Sequence, residues 1–228
     1  MALTNANQKY YFPITQVMEY LEKVVIQPTD KVLEIGPGEW PFKRADVSID
    51  FADIKTPGIK KLVKCDVCSE KLPFADKEFD FVFARQIVED LYDPFTFCEE
   101  MSRVGKQGYI ETPSPMAEIC RGTDGSSPPY RGYYHHRWIC WAFGKELRFI
   151  AKFPLLEYMQ INETRIEELL KSDRYWNSYY TWDDKIITNH RQPALHYEIL
   201  RDYPLLLGEA VERSKEMTDI FFSNITKG

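Results

Sequence analysis

The stretch "KVLEIGPGEW", residues 31–40, decides how this chain is read. A compact apolar run, interrupted only by Glu34, gives way to Gly36, Pro37 and Gly38. A short apolar run bounded by turn residues reads as a buried strand of a parallel sheet. Two glycines around one residue let the backbone turn sharply and approach a bound group closely. The stretch is therefore either a plain tight turn or the first turn of a nucleotide-type cofactor site, and its surroundings must decide.

Working outward, "ADVSID" (45–50) and "KLVKCD" (61–66) are weaker strand-like runs, and each ends in an acid. "FDFVFA" (79–84) is the clearest strand, and "QGYIETP" (107–113) is a fifth, stopped by Pro113. "DPFTFCEEMSRV" (93–104) between them has helical spacing, as does "ITQVMEYLEKVV" (14–25) behind Pro13. Strands alternating with helices predict a parallel α/β sheet. In such sheets a ligand sits at the carboxyl ends of the strands, at the point where strand order reverses. Glu34, Gly36 and Gly38, then Asp50, then Asp66 are thereby expected to line one crevice.

The rest of the chain changes character. Residues 114–145 interleave Gly, Pro and Ser clusters with aromatics. This is too long for an ordinary connection, and its aromatic content argues for order. "ELRFIAKFP" (146–154) and "SYYTWDDKIITNHR" (178–191) alternate like antiparallel strands, "NETRIEELLKS" (162–172) reads as a helix capped by Asn162, and the tail reads as another helix. The expected architecture is a single domain over 1–228. It consists of an N-terminal helix (1–30), a cofactor-binding core (31–113), and acceptor-site and lid elements (114–228). The expected fold class is α/β: a Rossmann-like, doubly wound, mostly parallel sheet with helices on both faces, plus a C-terminal lid of antiparallel strands and helices.

Composition narrows the partners. The formal net charge of −6 argues against a grip on nucleic acid, which rests on Lys and Arg. No apolar segment approaches membrane-spanning length, so no membrane partner is expected. The start of the chain has no basic-then-apolar signal pattern, and five scattered cysteines fit reduced thiols, so a cytoplasmic protein is expected. Cys65 and Cys68 form a C-x-x-C without a second pair at zinc spacing, and they read as plain thiols.

A dinucleotide fits the glycine turn poorly. The third glycine of that fingerprint is replaced by Pro41, and Asp50 follows Gly36 sooner than the roughly 20 residues expected of a ribose-binding acid. Glu34 beside the turn suits a cofactor with a cationic or zwitterionic group better than a pyrophosphate. "VLEIGPG", "SID", "CDVCSEKLPFADKEFDFVFARQIVEDLYDP" and "GYIETP", over residues 31–113, together resemble the class I S-adenosylmethionine-dependent methyltransferases, in particular the type 11 small-molecule branch. That resemblance implies S-adenosylmethionine as cofactor and S-adenosylhomocysteine as product. It implies that Glu34 sits near the methionine end and that Gly36, Pro37 and Gly38 admit the cofactor to the backbone. Asp50 would then receive the ribose hydroxyls, Phe51 would lie against the adenine, and Asp66 and Val67 would meet the adenine edge. Arg85, after the fourth strand, is included among the cofactor contacts, although the family often has a His-containing turn there. Trp40, beside the glycine loop, is expected to cover the cofactor.

Methyl transfer needs an aligned nucleophile, and a hydroxyl acceptor also needs a base. "YRGYYHHRWICW" (130–141) lies after the fifth strand, where loops fold over the acceptor. His135 and His136 are the candidate bases, since histidine titrates in the useful range. Arg131, Tyr134 and Arg137 are candidate acceptor contacts. His190 and His196 have weaker claims. The His pair has no third ligand at metal-site spacing, so no metal is expected. "SPPY" (127–130) matches a nitrogen-holding motif of amino-methyltransferases, but it follows the fifth strand rather than the fourth. The leading expectation is O-methylation of a small polar acceptor such as a sugar, nucleotide-sugar or glycan precursor, by a monomer or homodimer. An N-methyltransferase, a non-catalytic interaction protein with this fold, and a nicotinamide oxidoreductase are the rivals.

Overall fold

The structure, a computed structural model, describes residues 13–126, 128–192 and 198–227. His196 and the start of the chain lie outside the described residues. The central sheet has six strands: β1 (Val32–Ile35), β2 (Val47–Asp50), β3 (Leu62–Lys64), β4 (Phe79–Arg85), β5 (Gly105–Pro113) and β8 (Asn177–Asp183). Their order is β3-β2-β1-β4-β5-β8. The first five are parallel and β8 is antiparallel to β5. Strand order reverses between β1 and β4, which is where an open sheet of this kind leaves a crevice.

Helices cover both faces. On one lie α1 (Thr15–Tyr20), continued as a π-helical turn over Leu21–Val25, and the end of the long helix α5 (Ile199–Lys227). Val17, Leu21, Phe222 and Ile225 pack there against Val32, Phe81, Phe83 and Tyr109. The other face takes α2 (Pro94–Val104), whose Phe97, Cys98, Met101 and Val104 pack against Val82, Ala84 and Ile110. The start of α2 is fixed locally: the Asp93 carboxylate accepts the Phe95 and Thr96 N–H groups, and Pro94 occupies the first turn. The connections from β1 to β2 and from β2 to β3 are loops, so α2 is the one helix placed between consecutive parallel strands.

Two expectations for the C-terminal half are corrected. The segment 178–191 is not one strand. Asp184, at φ +59°, turns the chain, so β8 joins the main sheet while β9 (Ile187–His190) pairs parallel to β7 (Glu146–Ala151) in a second sheet of order β6-β7-β9. The stretch 114–145 holds a short helix, α3 (Pro115–Ile119), and the strand β6 (Trp138–Phe143), antiparallel to β7. The helix α4 (Thr164–Leu170) begins without a side-chain cap; Asn162 only accepts the Thr164 N–H at 3.3 Å. The first half of α5 packs Tyr203, Leu207 and Ala210 against α3, α4 and β6 in a second apolar core. One helix thus ties the C-terminal elements to the central sheet. Among the described residues, no helix is long and apolar enough to cross a membrane.

Candidate active site

A trough of about 220 Å³ lies at the strand-order reversal. The strands deliver its walls in sequence. Ile35 and Gly36 come from the end of β1, and Ile49, Asp50 and Phe51 from the end of β2. Cys65 to Cys68 follow β3, and Ile87, Asp90 and Leu91 follow β4. The glycine is needed on two counts. Gly36 has φ +66°, and a Cβ there would stand 2.2 Å from Ile87 Cδ1. Phe51 is 72 % exposed beside the trough, leaving a bare aromatic face. Asp50 uses one carboxylate oxygen to accept the Ala52 N–H at 2.9 Å. Asp66 accepts the Cys68 N–H and the Ser69 hydroxyl, and these bonds hold its carboxyl below the usual range. Both acids keep carboxylate lone pairs for a further donor.

Several expected contacts lie outside the trough lining. Glu34 is buried: its Oε1 accepts the Phe42 N–H at 2.6 Å and its Oε2 the Ser48 hydroxyl at 2.9 Å. It anchors the loop after the glycines, with Phe42 stacked on Phe83 at 4.3 Å, and does not reach the trough. Burial pushes its carboxyl up to about 7 against these two hydrogen bonds. Arg85 points to the α1 face, where Nε donates to the buried Glu111 at 2.9 Å. Arg85 and Trp40 line a separate cavity of about 320 Å³ against α1, so Trp40 does not cover the trough. Pro37 and Gly38 continue the turn away from the trough wall. Gly38 has φ +51°, and its carbonyl accepts the Thr56 hydroxyl at 2.8 Å.

The chain leaves β4 through Gln86, a non-glycine residue at φ +60° whose N–H donates to Glu111 O. Such strain persists only where its surroundings enforce it. Here it swings residues 87–91 across the end of the trough. The loop 130–137 is stapled to that segment. The Arg137 and Trp138 N–H groups both donate to Glu89 O, the Arg137 guanidinium to Asp90 O, and Trp138 Nε1 to Leu91 O. The staple brings both histidines to Asp90: its Oδ1 lies 3.9 Å from His135 Nε2 and 4.0 Å from His136 Nε2.

The two histidines, equivalent in sequence, are not equivalent in place. His136 is buried, and its Nδ1 lies 2.6 Å from Glu118 Oε1 on α3. Lys152, after β7, holds the other Glu118 oxygen at 2.6 Å. Burial opposes charge on this His136–Glu118 pair, but the attraction wins: Glu118 is drawn down to about 2 and His136 is raised above its ordinary value. His135 stands half exposed at the mouth, and burial and the neighbouring His136 lower its pKa. His135 is therefore the neutral imidazole of the pair. Beneath them Glu89 is fully buried, its carboxyl has no hydrogen-bond partner among the described residues, and burial pushes it up to about 8.

Arg131 is corrected. It is buried, and it donates to Ile119 O, Met159 O and Glu163, so it is part of the scaffold and unavailable to an acceptor. Arg137 stacks over Tyr92 at 3.8 Å on the rim, and Tyr134 is 71 % exposed beside His135. His190 packs between Phe95 and Trp138 on the second sheet, away from the cluster. Asp90, Glu118 and Lys152 were missed by sequence reasoning. The position of Asp90 just after the fourth strand, at the expected crevice, was the one available signal.

Residues 44–110 match the family described as methyltransferase domain. An uncharacterised protein of Methanocaldococcus jannaschii, MJ1123, is 35% identical over 89 residues, 36% of this chain and 42% of that protein. The chain thus spans less than half the length of the curated relative it matches. Among solved structures, a chain in the complex of the Haloferax volcanii Trm112 methyltransferase activator with a protein described as a methyltransferase is 12% identical. That match covers 78% of this chain and 90% of the other, with a TM-score of 0.43. An Aquifex aeolicus SAM dependent methyltransferase is 21% identical over 48% of this chain and 72% of its own, with a TM-score of 0.35.

Proposed function

We propose that this chain, whose core is a class I S-adenosylmethionine-dependent methyltransferase domain, methylates a hydroxyl of a small polar acceptor such as a sugar, nucleotide-sugar or glycan precursor. One observation carries the reading: the trough at the strand-order reversal ends at Asp90, within 4.0 Å of both histidines.

The residues present fit the cofactor. Gly36 lets the chain pass close to it, Phe51 offers a face to the adenine, and Asp50 offers oxygens to the ribose. Asp66 and Val67 meet the adenine edge. When bound, S-adenosylmethionine supplies a methyl group already activated as a sulfonium, so the protein's task is alignment and proton removal. His135, neutral and at the mouth, takes the acceptor's proton. The deprotonated oxygen would thereby be left as the nucleophile toward the methyl group that the cofactor, held by Asp50, Phe51, Asp66 and Val67, would supply. His135 afterwards passes its proton to water. The His136–Glu118 hydrogen bond and the bonds from Arg137 and Trp138 to the backbone of 89–91 fix the loop that presents His135. The rings of Tyr134 and Tyr92 at the rim suit the apolar face of a sugar. Free thiols at all five cysteines support a cytoplasmic setting.

The test is methyl transfer from labelled cofactor to a panel of hydroxylated acceptors. His135→Ala is expected to lower kcat by about 10²–10⁴-fold with cofactor affinity unchanged. Full activity in that variant would point to a nitrogen acceptor that needs no base. Cofactor binding without turnover on any acceptor would point to a non-catalytic role.

A further inference from the structure

We infer that Asp90, His135 and His136 form a binding site for a divalent first-row transition ion, Zn²⁺ being the best match, at the mouth of the trough. Each residue offers one ligand atom, and the three atoms lie within 4.8 Å of one another. Tetrahedral ligands about 2.0–2.1 Å from a zinc ion are roughly 3.3 Å apart. The site therefore needs a closure of at most about 1.5 Å, shared between His135 and Asp90 around the held His136.

Three features separate this cluster from a chance meeting of polar groups. Asp90 Oδ1 is buried and makes no hydrogen bond among the described residues, so an acceptor is left between two imidazole nitrogens. A buried carboxylate oxygen without a donor is costly, and a cation relieves that cost. His136 turns Nε2 toward Asp90 because its Nδ1 is held by Glu118 at 2.6 Å, the carboxylate–histidine arrangement that orients a metal ligand. Glu118 is itself fixed by Lys152. Finally, three protein ligands are the number found in catalytic rather than structural zinc sites. Two imidazoles with one carboxylate select a transition ion over Mg²⁺ or Ca²⁺, which favour all-oxygen sets. The sequence hides the site because its third ligand, Asp90, follows β4, far from the adjacent histidines.

This inference deepens the proposed methyl transfer. A bound ion would hold the acceptor oxygen and ease loss of its proton to water, with His135 as a ligand in place of the base. Metal binding itself can be tested without any turnover.

The full chain is stripped with a chelator and titrated calorimetrically with ZnCl₂, and with CoCl₂ while visible absorption is recorded. One ion per chain is expected, with cobalt d–d bands and no response to MgCl₂. Asp90→Asn and His135→Ala are expected to weaken binding by about 100-fold or more, and Glu118→Gln by about 10–100-fold. His190→Ala, which removes an imidazole away from the cluster, is expected to leave it unchanged. Absence of binding, binding unaltered in Asp90→Asn and His135→Ala, or binding lost in His190→Ala would each overturn the inference. S-adenosylmethionine binding is measured on the same preparations. Cofactor binding without metal binding removes the metal site alone, and metal binding without cofactor binding removes the methyltransferase reading alone.

Discussion

Gly132 packs its backbone directly against α3 of the candidate site. It has φ +58°, and a Cβ there would lie 2.4 Å from Glu118 Oε2 and 2.6 Å from both the Glu118 Cα and its carbonyl oxygen. The carboxylate can swing aside, but the Cα and carbonyl belong to α3 and cannot. Gly144, in the β6–β7 turn, is a matched control, with φ +59° and no atom within 4 Å of where a Cβ would stand. Alanine in the left-handed region costs about 1–2 kcal/mol. Loss of glycine's freedom in the unfolded chain returns about 0.4–1 kcal/mol. Gly144→Ala is therefore expected to cost about 1 kcal/mol. Gly132→Ala carries the same backbone term plus overpacking of about 1–3 kcal/mol, for a total of about 2–4 kcal/mol. Urea unfolding of the two variants, compared at equal m-value, reads the difference. Equal losses within about 0.5 kcal/mol would refute the claim that α3 is clamped against this loop.

Other expectations follow from buried charge. Glu34 titrates at about 7 when folded against 4.5 when unfolded, so the folded state holds its proton more tightly. Its contribution is greatest below pH 4.5 and is lost as pH rises to about 7. The interval corresponds to about 3 kcal/mol at roughly 1.4 kcal/mol per pH unit. Glu34→Gln should flatten the stability profile in that window, and an unchanged slope would count against this burial. Glu111 receives Arg85 Nε, Asn177 Nδ2 at 2.8 Å and the Tyr109 hydroxyl at 2.5 Å, all in the sheet interior. Glu111→Ala leaves Arg85 without this partner and should cost about 3–5 kcal/mol in chemical denaturation. A loss under about 1 kcal/mol would mean that the cluster is not closed.

Much of this architecture was legible because buried parallel strands are short apolar runs. β1 to β5, α1 and α2 all fall where periodicity and turn residues place them. β6 was not legible, since "WICWAF" is apolar on both faces and sits among loop-forming Gly, Pro and Ser. The split between β8 and β9 depends on Asp184 adopting a positive φ, which no pattern of alternation reveals. The acids at the strand ends could be read because topology alone brings them together. The side a residue faces could not. Glu34, Arg85 and Arg131 carry functional residue types, yet each is consumed by partners distant in the chain. Asp90 was marked only by its place after β4, and Glu118 became visible only when the fold set it beside His136, a contact that also makes His135 and His136 unequal.

The most direct test of the central claim is calorimetric titration of the purified chain with S-adenosylmethionine and S-adenosylhomocysteine, with NADH as control and Asp50→Ala in parallel. Both sulfur compounds are expected to bind in roughly the micromolar range, with marked weakening in the variant, and NADH is expected not to bind. Failure of folded protein to bind either sulfur compound, or binding indifferent to Asp50→Ala, would contradict that claim.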